Sequence, residues 1–186
     1  MIEQAFVRLD KYCREMNYRG WDVFDGLNSR LFRSSFLYKF PLLRLAWIQF
    51  FKRSPINLRR LALVPYGYNA KALGLFASGL TALGRIDEAR DLLNRFMPLR
   101  CQGYTGISWG YNFPWQARAF YVPEGKPNLV TTVFVANAFL DFFDKTGDTK
   151  TFDTARECCI FIIENLIIFE AQNELCFGYI PGAGNQ

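Results

Sequence analysis

The chain has 186 residues, with 22 Lys and Arg against 17 Asp and Glu, and 51% of its residues are hydrophobic. This length suits one domain that buries roughly 70% of its unfolded surface, and the apolar content excludes disorder as a description of the whole chain. The net charge of +5 comes from mixed-sign segments, so nucleic acid is not an expected partner.

The first residues predict an amphipathic helix. Between Ile2 and Met16, apolar side chains recur at three- and four-residue steps, which puts them on one helical face. The same stretch carries charges throughout and lacks the apolar run of a signal peptide, so no export is expected. Residues 18–29 follow with glycines, aspartates and Trp21, a composition typical of a structured loop.

Residues 31–52 resume a helical pattern, and Pro41 opens its longer second part. The apolar windows 36–51 and 158–169 are interrupted by Lys39, Arg44 and Gln49 or are too short to cross a bilayer. Buried helices explain both windows, and no membrane partner is expected; a membrane-surface role for the first is the alternative. A basic cluster next to Pro55 indicates either a site for a phosphate or acidic sugar, or a solvated loop. Its members are Lys52, Arg53, Arg59 and Arg60.

Two helix hairpins are predicted in the remainder. Asn69 can cap a helix over residues 70–83 that has a small-residue face, Gly84 ends it, and an amphipathic partner runs over residues 87–97. The second hairpin covers about residues 129–169, with its turn at Gly147 and Asp148. Between the two lies a loop, residues 101–126, that is long enough to be functional by its length alone.

The two hairpins read as a duplicated unit. Ala89-Arg90 and Ala155-Arg156 are 66 residues apart. The triplets Trp109-Gly110-Tyr111 and Phe177-Gly178-Tyr179 are 68 apart. Each unit therefore consists of helix, turn, helix and a long glycine-aromatic loop, which is much longer than the roughly 34 residues of a tetratricopeptide repeat.

Histidine is missing from the chain, which removes Ser-His and Cys-His catalysis and the commonest metal ligand. The five cysteines form neither a CxxC pair nor a secretory spacing, so we expect reduced thiols and a cytoplasmic location. No cofactor and no metal are expected. Any catalysis must use carboxylates, Tyr, Lys or Cys.

Four segments resemble those of a bacterial and archaeal family with the six-hairpin glycosidase-like fold, a family often linked with polysaccharide biosynthesis genes. They are Gly20-Trp21-Asp22 with the following Phe24 to Ser29, Tyr68 to Phe76, Trp109 to Arg118, and Thr131 to Asn137. The likeness spans nearly the whole chain, and the third segment is its most specific part.

The resemblance implies an all-α fold of antiparallel helix hairpins that form part of an (α/α)6 toroid. Such a toroid needs twelve helices, and this chain supplies about three hairpins. We therefore expect residues 1–186 to be a single helical domain that resembles the N-terminal half of the family, truncated at its C-terminus in the glycine-rich segment 181–186. Relatives of the fold include sugar hydrolases, lyases and epimerases, but a fold does not by itself confer a function.

Asp22 and Asp25 are the candidate catalytic residues. They lie three residues apart in the aromatic loop, and glycoside chemistry uses one carboxyl as proton donor and a second as nucleophile or base. The alternative is that both cap helix starts or bind backbone amides in the turn.

The candidate sugar-binding residues combine aromatic rings, which can face the C–H side of a sugar, with amide and guanidinium groups that bind hydroxyls or a carboxylate. They are Trp21, Tyr68, Trp109, Tyr111, Trp115, Gln116, Arg118 and Asn137. Alternatively, the aromatic residues plug the interior, and Asn137 is a satisfied buried amide.

The leading hypothesis is a carbohydrate-active or carbohydrate-binding protein whose partner is a saccharide or an acidic sugar. If it is an enzyme, it is a carboxylate-dependent hydrolase, lyase or epimerase. The alternative is a non-enzymatic helical scaffold that binds a protein, either its missing C-terminal half or a second copy, through an exposed apolar seam at residues 166–169. A terpenoid-cyclase-like toroid is disfavoured because no aspartate-rich motif is present.

Overall fold

The computed structural model describes residues 2–182, which are mostly helical and contain seven α-helices and four short strands. The prediction of a mostly helical fold is confirmed, and two small β-hairpins accompany the helices. Of the glycine-rich segment predicted at the end of the chain, residues 183–186 lie outside the described residues. The described chain forms two compact units. The assignment of residues 1–186 to a single domain stays a prediction.

Unit 1 consists of the described residues up to Asn69 together with Phe113–Pro123. Its elements are α1 (Ile2–Glu15), α2 (Arg30–Ser34), α3 (Pro41–Arg53), β1 (Trp115–Gln116) and β2 (Tyr121–Val122), with 3-10 turns at Asp25–Asn28 and Phe36–Lys39. The start of α3 at Pro41 is as predicted, since the first turn of a helix needs no donor from its first residue.

The continuous helical pattern predicted ahead of Pro41 is broken. Helix α2 ends at Ser34, and Ser35 has an extended backbone. The hydroxyl of Ser34 donates to the Leu31 carbonyl, and that of Ser35 donates to the Phe32 carbonyl. These local bonds compete with helix propagation, which accounts for the interruption.

The core of unit 1 is made of two small clusters. Leu27, Phe32 and Ile48 form one, and the second centres on Phe51. The Trp47 ring stacks on Phe32 with 4.7 Å between ring centroids. Much of the apolar window 36–51 stays outside these clusters, so its assignment to a buried helix was wrong for its outward-facing residues, which include Phe36, Phe40, Leu42 and Phe50.

Unit 2 contains Ala70–Asn112 and the described residues from Glu124 onward. Its elements are α4 (Ala70–Ala82), α5 (Ile86–Phe96), α6 (Leu129–Thr146), α7 (Thr149–Leu166), β3 (Ile167–Ala171) and β4 (Glu174–Phe177). Both predicted helix hairpins are confirmed, and the helices of the second are longer, 18 residues each against 13 and 11. Helix α4 packs on α5 and α6, and α6 packs on α7.

The end of the second hairpin differs from the prediction, because α7 ends at Leu166 and residues predicted as helix to 169 form strand β3. Strand β3 pairs antiparallel with β4 across a two-residue turn, Ala171 facing Glu174. The β-branched and aromatic run Ile167-Ile168-Phe169 favours a strand once the helix has ended.

The predicted duplication has a counterpart in unit 2. Tyr111 and Tyr179, which occupy equivalent places in the two repeats, touch each other: the Tyr179 hydroxyl donates to the Tyr111 hydroxyl over 3.1 Å. The backbone amide of Leu129 at the start of α6 donates to the Tyr179 carbonyl. The stretches that precede these tyrosines differ, because the second repeat forms the β3–β4 hairpin where the first is irregular between Leu99 and Trp109.

Candidate functional site

The predicted catalytic pair, Asp22 and Asp25, is brought together in a turn of unit 1. The backbone amide of Asp22 donates to Asp25 Oδ2 over 3.0 Å. One Asp22 oxygen accepts from the Phe24 amide, and the other accepts from the Asn69 side chain, over 2.9 and 3.0 Å. Both carboxylates therefore organise the loop, which is the structural alternative considered for them.

Asp25 is closed off from ligands by Arg59. Asp25 is 3% exposed, and Arg59 Nε donates to its Oδ1 over 2.7 Å. Arg59 Nη2 also donates to the Asp22 carbonyl, so one guanidinium joins both aspartates. Burial raises the pKa of the Asp25 carboxyl above its ordinary value, and the Arg59 guanidinium opposes that rise. A carboxyl in this position cannot reach a sugar without opening the pair.

The same ion pair corrects the prediction for the basic cluster near Pro55. Arg59 is neither solvated nor available to a phosphate, because it is buried and bound to Asp25. The other three members, Lys52, Arg53 and Arg60, are exposed.

Trp21 and Tyr68 are half-buried residues of unit 1 with structural partners. The Trp21 indole donates to the Val64 carbonyl over 3.0 Å, and its ring lies 4.1 Å from that of Tyr66. The Tyr68 hydroxyl accepts from the Asn17 side chain over 3.0 Å. These contacts hold the loop around the aspartates in place.

Trp109 requires a correction. The residue is 0% exposed, its ring packs edge-on against Phe96, and its indole donates to the Phe96 carbonyl over 2.8 Å. A ring enclosed on all sides offers no face to a sugar, so Trp109 belongs to the core of unit 2. Tyr111 is half-buried and is bound to Tyr179.

Asn137 and Arg118 lie on the surface. Asn137 is an exposed residue of α6 in unit 2, so the expectation of an inward-facing or buried amide was wrong. Arg118 is exposed in the loop that joins β1 to β2 in unit 1. Neither residue forms part of the cluster described next.

The most organised polar and aromatic group in unit 1 surrounds Arg44 and is called the Arg44 cluster. It consists of Tyr38, Arg44, Trp115, Gln116 and Tyr121. Arg44 lies on α3, and its Nε donates to Gln116 Oε1 on β1 over 3.0 Å. Its Nη1 donates to the Tyr38 carbonyl over 3.1 Å. Gln116 is itself fixed, because its amide nitrogen donates to the carbonyls of Ala117 and Phe120.

Aromatic rings surround the Arg44 guanidinium. Its Cζ lies 4.6 Å from the Tyr121 ring centroid and 5.7 Å from that of Tyr38, distances at which a cation is attracted to a ring. The two tyrosine hydroxyls are 3.0 Å apart and share a hydrogen bond. Burial and this hydrogen bond raise the pKa of Tyr121, so its hydroxyl stays protonated. Half-buried Trp115 packs against the same core as both tyrosines.

The charge of Arg44 is not neutralised. Among residues 2–182, no carboxylate lies within ion-pairing distance of Arg44, and its Nη2 forms no hydrogen bond. A guanidinium that is held by two partners and keeps donors to spare is arranged to bind a carboxylate or another anion.

Sequence reasoning found Trp115 and Gln116 but missed Arg44, Tyr38 and Tyr121. It treated Arg44 as an interruption of an apolar window, since a single arginine in a helix carries no signal of what packs beside it. Arg44 and Gln116 are 72 residues apart in the sequence, so no local sequence pattern indicates that they are in contact.

No protein-family model, curated protein or solved structure matches this chain. Within the part that the structure describes, no helix is long and apolar enough to cross a membrane. In the same residues, no three Cys, Asp or Glu side chains converge as metal ligands would.

Proposed function

We propose that this chain binds an anionic saccharide, and that the Arg44 cluster receives the carboxylate of the sugar. The observation that carries the proposal is the unneutralised guanidinium of Arg44, held by Gln116 and Tyr38 and flanked by tyrosine rings. Its fixed orientation lowers the entropy lost when an anion binds, so the remaining donors act as a prepared contact.

The composition of the cluster favours a sugar over a simple anion. The Trp115 side chain is half-buried and lies beside the same core, so it can cover the apolar face of a sugar ring while Arg44 binds the carboxylate. The protonated Tyr121 hydroxyl adds a polar group of the kind that recognises sugar hydroxyls.

The proposal is for binding, because both candidate catalytic carboxyls are engaged by groups of the protein itself. Asp25 is buried against Arg59, and Asp22 is half-buried with both oxygens engaged. A hydrolase mechanism needs a proton donor and a second carboxyl at the same sugar. A hydrolase, lyase or epimerase activity would require the Asp25 pair to open.

The toroid architecture and the cytoplasmic location belong to the same proposal. The hairpins α4–α5 and α6–α7 are the kind of repeating unit from which helical toroids are built, and their repetition supports this arrangement. The five cysteines, all unpaired, are in keeping with a reducing compartment.

A matched pair of ligands tests the proposal. Binding of a galacturonic acid trisaccharide and of a galactose trisaccharide is measured by calorimetry or by NMR; the two differ in the carboxylates. We expect the acidic sugar to bind more tightly, and Arg44→Met to weaken its binding about 10-fold to 150-fold, the range for a charge-assisted hydrogen bond.

Arg118→Met is the control, since Arg118 is an exposed arginine in unit 1 outside the cluster. It should leave both affinities unchanged. Thermal unfolding of each variant separates loss of binding from loss of folding. Equal binding of the two sugars, or no binding of either, overturns the proposal.

A second candidate function, a scaffold that pairs with a second copy of itself, has one specific observation in its favour. The β3–β4 hairpin is a two-stranded ribbon that exposes Ile168, Phe169 and Leu175 by 45%, 51% and 51%. Of the seam predicted at residues 166–169, Leu166 is buried instead, at 1%. Apolar ribbons with open edges favour pairing with another chain.

Light scattering over a range of concentrations tests this candidate. A dimer that Phe169→Ser converts to a monomer supports pairing through the hairpin. A species that stays monomeric at high concentration rules it out.

A further inference from the structure

The distribution of charge along unit 1 is one-sided. From Gly26 to Asn69 there are eight Lys and Arg and no Asp or Glu. Arg59 is paired with the buried Asp25, whereas Arg30, Lys39, Lys52 and Arg53 form no ion pair with a described residue. The positive charges of these four residues favour an anionic partner.

Large apolar side chains project from the same stretch. Phe36 is 71% exposed and Leu42 is 79% exposed, and Leu31, Phe40 and Phe50 are each about half exposed. They lie in α2, in the turn Phe36–Lys39 and in α3, with Phe40 between the last two. These three elements follow one another along the chain and pack together. Large exposed apolar side chains concentrated in one short part of the chain favour an interaction site.

Exposed basic residues are interleaved with these apolar ones. Arg30 precedes Leu31, Lys39 precedes Phe40, and Lys52 and Arg53 end α3. None of these four forms an ion pair with a described residue. We call the surface made by these residues and the exposed apolar ones the basic apolar face.

We propose that the basic apolar face rests on an anionic lipid bilayer, as a peripheral contact that needs no spanning helix. The projecting Phe and Leu side chains enter the boundary between headgroups and acyl chains, and the Lys and Arg side chains bind lipid phosphates. The alternation of the two side-chain types over residues 30–53 is what such an interface requires.

Charge decides between the bilayer and a second copy of this chain. A symmetric dimer through this face would bring Arg30, Lys39 and Arg53 of one copy towards the same basic face of the other, and like charges repel there. A bilayer with anionic lipids supplies the opposite charge over the whole face.

Helix α1 provides an internal comparison. It also exposes apolar side chains, with Val7 at 58% and Leu9 at 54%, but its charges are balanced and partly paired, as in Asp10–Arg14. An apolar surface without an excess of positive charge lacks the electrostatic attraction to an anionic bilayer. Helix α1 therefore supplies control substitutions.

The experiment measures co-sedimentation of the full chain with two kinds of vesicle, phosphatidylcholine alone and phosphatidylcholine mixed with phosphatidylglycerol. We expect binding to the mixed vesicles, weakened by added salt, and little binding to the neutral ones. Lys39→Glu should lower binding by about fivefold or more. Leu42→Ser should lower it about tenfold, and its high exposure keeps the fold intact.

Val7→Ser on α1 is the control and should leave vesicle binding unchanged. Equal binding to both vesicles, or an equal loss with Val7→Ser and Leu42→Ser, overturns the proposal. So does release by inorganic phosphate but not by chloride at equal ionic strength, because that result indicates a site for a free anion. A dimer that Leu42→Ser dissociates in the absence of lipid also overturns it, since the occupant is then a second copy.

Discussion

The two units of this chain stabilise their interiors by different means. Unit 2 buries large apolar side chains, among them Trp109, Phe96, Phe142 and Phe161, between regular helices. Unit 1 has smaller apolar clusters and places Asp25, Asn28, Ser29 and Arg59 in its interior instead. Many of its large apolar residues remain exposed on α1, α2 and α3.

This difference separates a scaffold from a binding surface. Close packing makes unit 2 sensitive to changes of volume, since cores at crystal-like density cannot absorb a missing or added group. Unit 1 depends on polar contacts that join loops far apart in the sequence, as between Asp25 and Arg59. Unit 1 also contains Arg44, whose charge is not neutralised, and the basic apolar face, which are the two candidate ligand contacts.

The largest expected effect is that of Trp109→Ala in unit 2. Removing a fully buried ring should cost about 3–5 kcal/mol, and the lost hydrogen bond to the Phe96 carbonyl adds about 1 kcal/mol. Urea unfolding followed by circular dichroism measures this loss.

The control is Trp115→Ala. Because Trp115 is only half-buried, removing its ring should lower the free energy of unfolding by less. If Trp109→Ala leaves the free energy of unfolding unchanged but abolishes sugar binding, Trp109 is a ligand contact and the contrast between the units fails.

Asp25→Ala should destabilise unit 1 by about 3–5 kcal/mol, because Arg59 stays buried without its counter-charge. The double variant Asp25→Leu with Arg59→Met should recover most of the loss, since apolar residues can replace a buried ion pair. Hydrogen exchange of the unit 1 amides measures both. A cost below about 1 kcal/mol would mean that water reaches Asp25, which would restore it as a catalytic candidate.

Two glycines of α4 test the close packing of unit 2. A Cβ at Gly74 would lie 2.9 Å from the Phe134 carbonyl oxygen of α6, whereas one at Gly79 would meet nothing within 4 Å. Gly74→Ala should therefore cost about 1–3 kcal/mol, and Gly79→Ala should stabilise by up to about 1 kcal/mol. Thermal unfolding ranks the two variants, and equal midpoints would show that the α4–α6 contact is looser than described.

The smallest effect concerns Asp148, which caps α7 through the Lys150 amide and binds Arg90. Asp148→Ala should cost about 1 kcal/mol. The hydrogen bond from Arg90 lowers the pKa of Asp148, so its contribution is present above the unfolded-state pKa and is lost as pH falls through the lower folded-state value. Below about pH 4, the free energy of unfolding of unit 2 should therefore fall less steeply with decreasing pH in Asp148→Asn than in the unchanged protein.

The control for this pH dependence is Asp153→Asn on the same helix, whose carboxylate is 61% exposed in a loose 3.7 Å contact with Arg156. This variant removes one carboxylate from α7 without removing a helix cap or a short hydrogen bond. An identical change in both variants would assign the effect to net charge.

Helices were predictable wherever their signals lie within a few residues. Pro41 predicted the start of α3, Gly84 the end of α4, and Gly147 with Asp148 the turn between α6 and α7. Gly147 adopts a positive φ at the end of α6, and the Asp148 side chain caps α7. The β3–β4 hairpin was missed because the uninterrupted apolar run Ile167-Ile168-Phe169 fits the periodicity of a helix as well as that of a strand. The strand that pairs with it lies beyond the turn.

The candidate site was predictable only in part, for a related reason. The aromatic loop suggested sugar contacts, but nothing in its spacing separates Trp109, which is buried, from Trp115, which is half-exposed. Burial depends on which elements pack on a residue, and Trp109 is enclosed by Phe96 and Phe139 from two different helices.

The amino-acid sequence by itself determined the mostly helical class, the two helix hairpins, their turns and the missing histidine chemistry, because each depends on local propensity or on composition. Tertiary structure alone decided that Arg59 neutralises Asp25, that Gln116 positions Arg44 and that Phe36 and Leu42 face solvent. These outcomes depend on contacts between residues that are distant in the sequence, and the energy of such contacts comes from burial and pairing that no short pattern encodes.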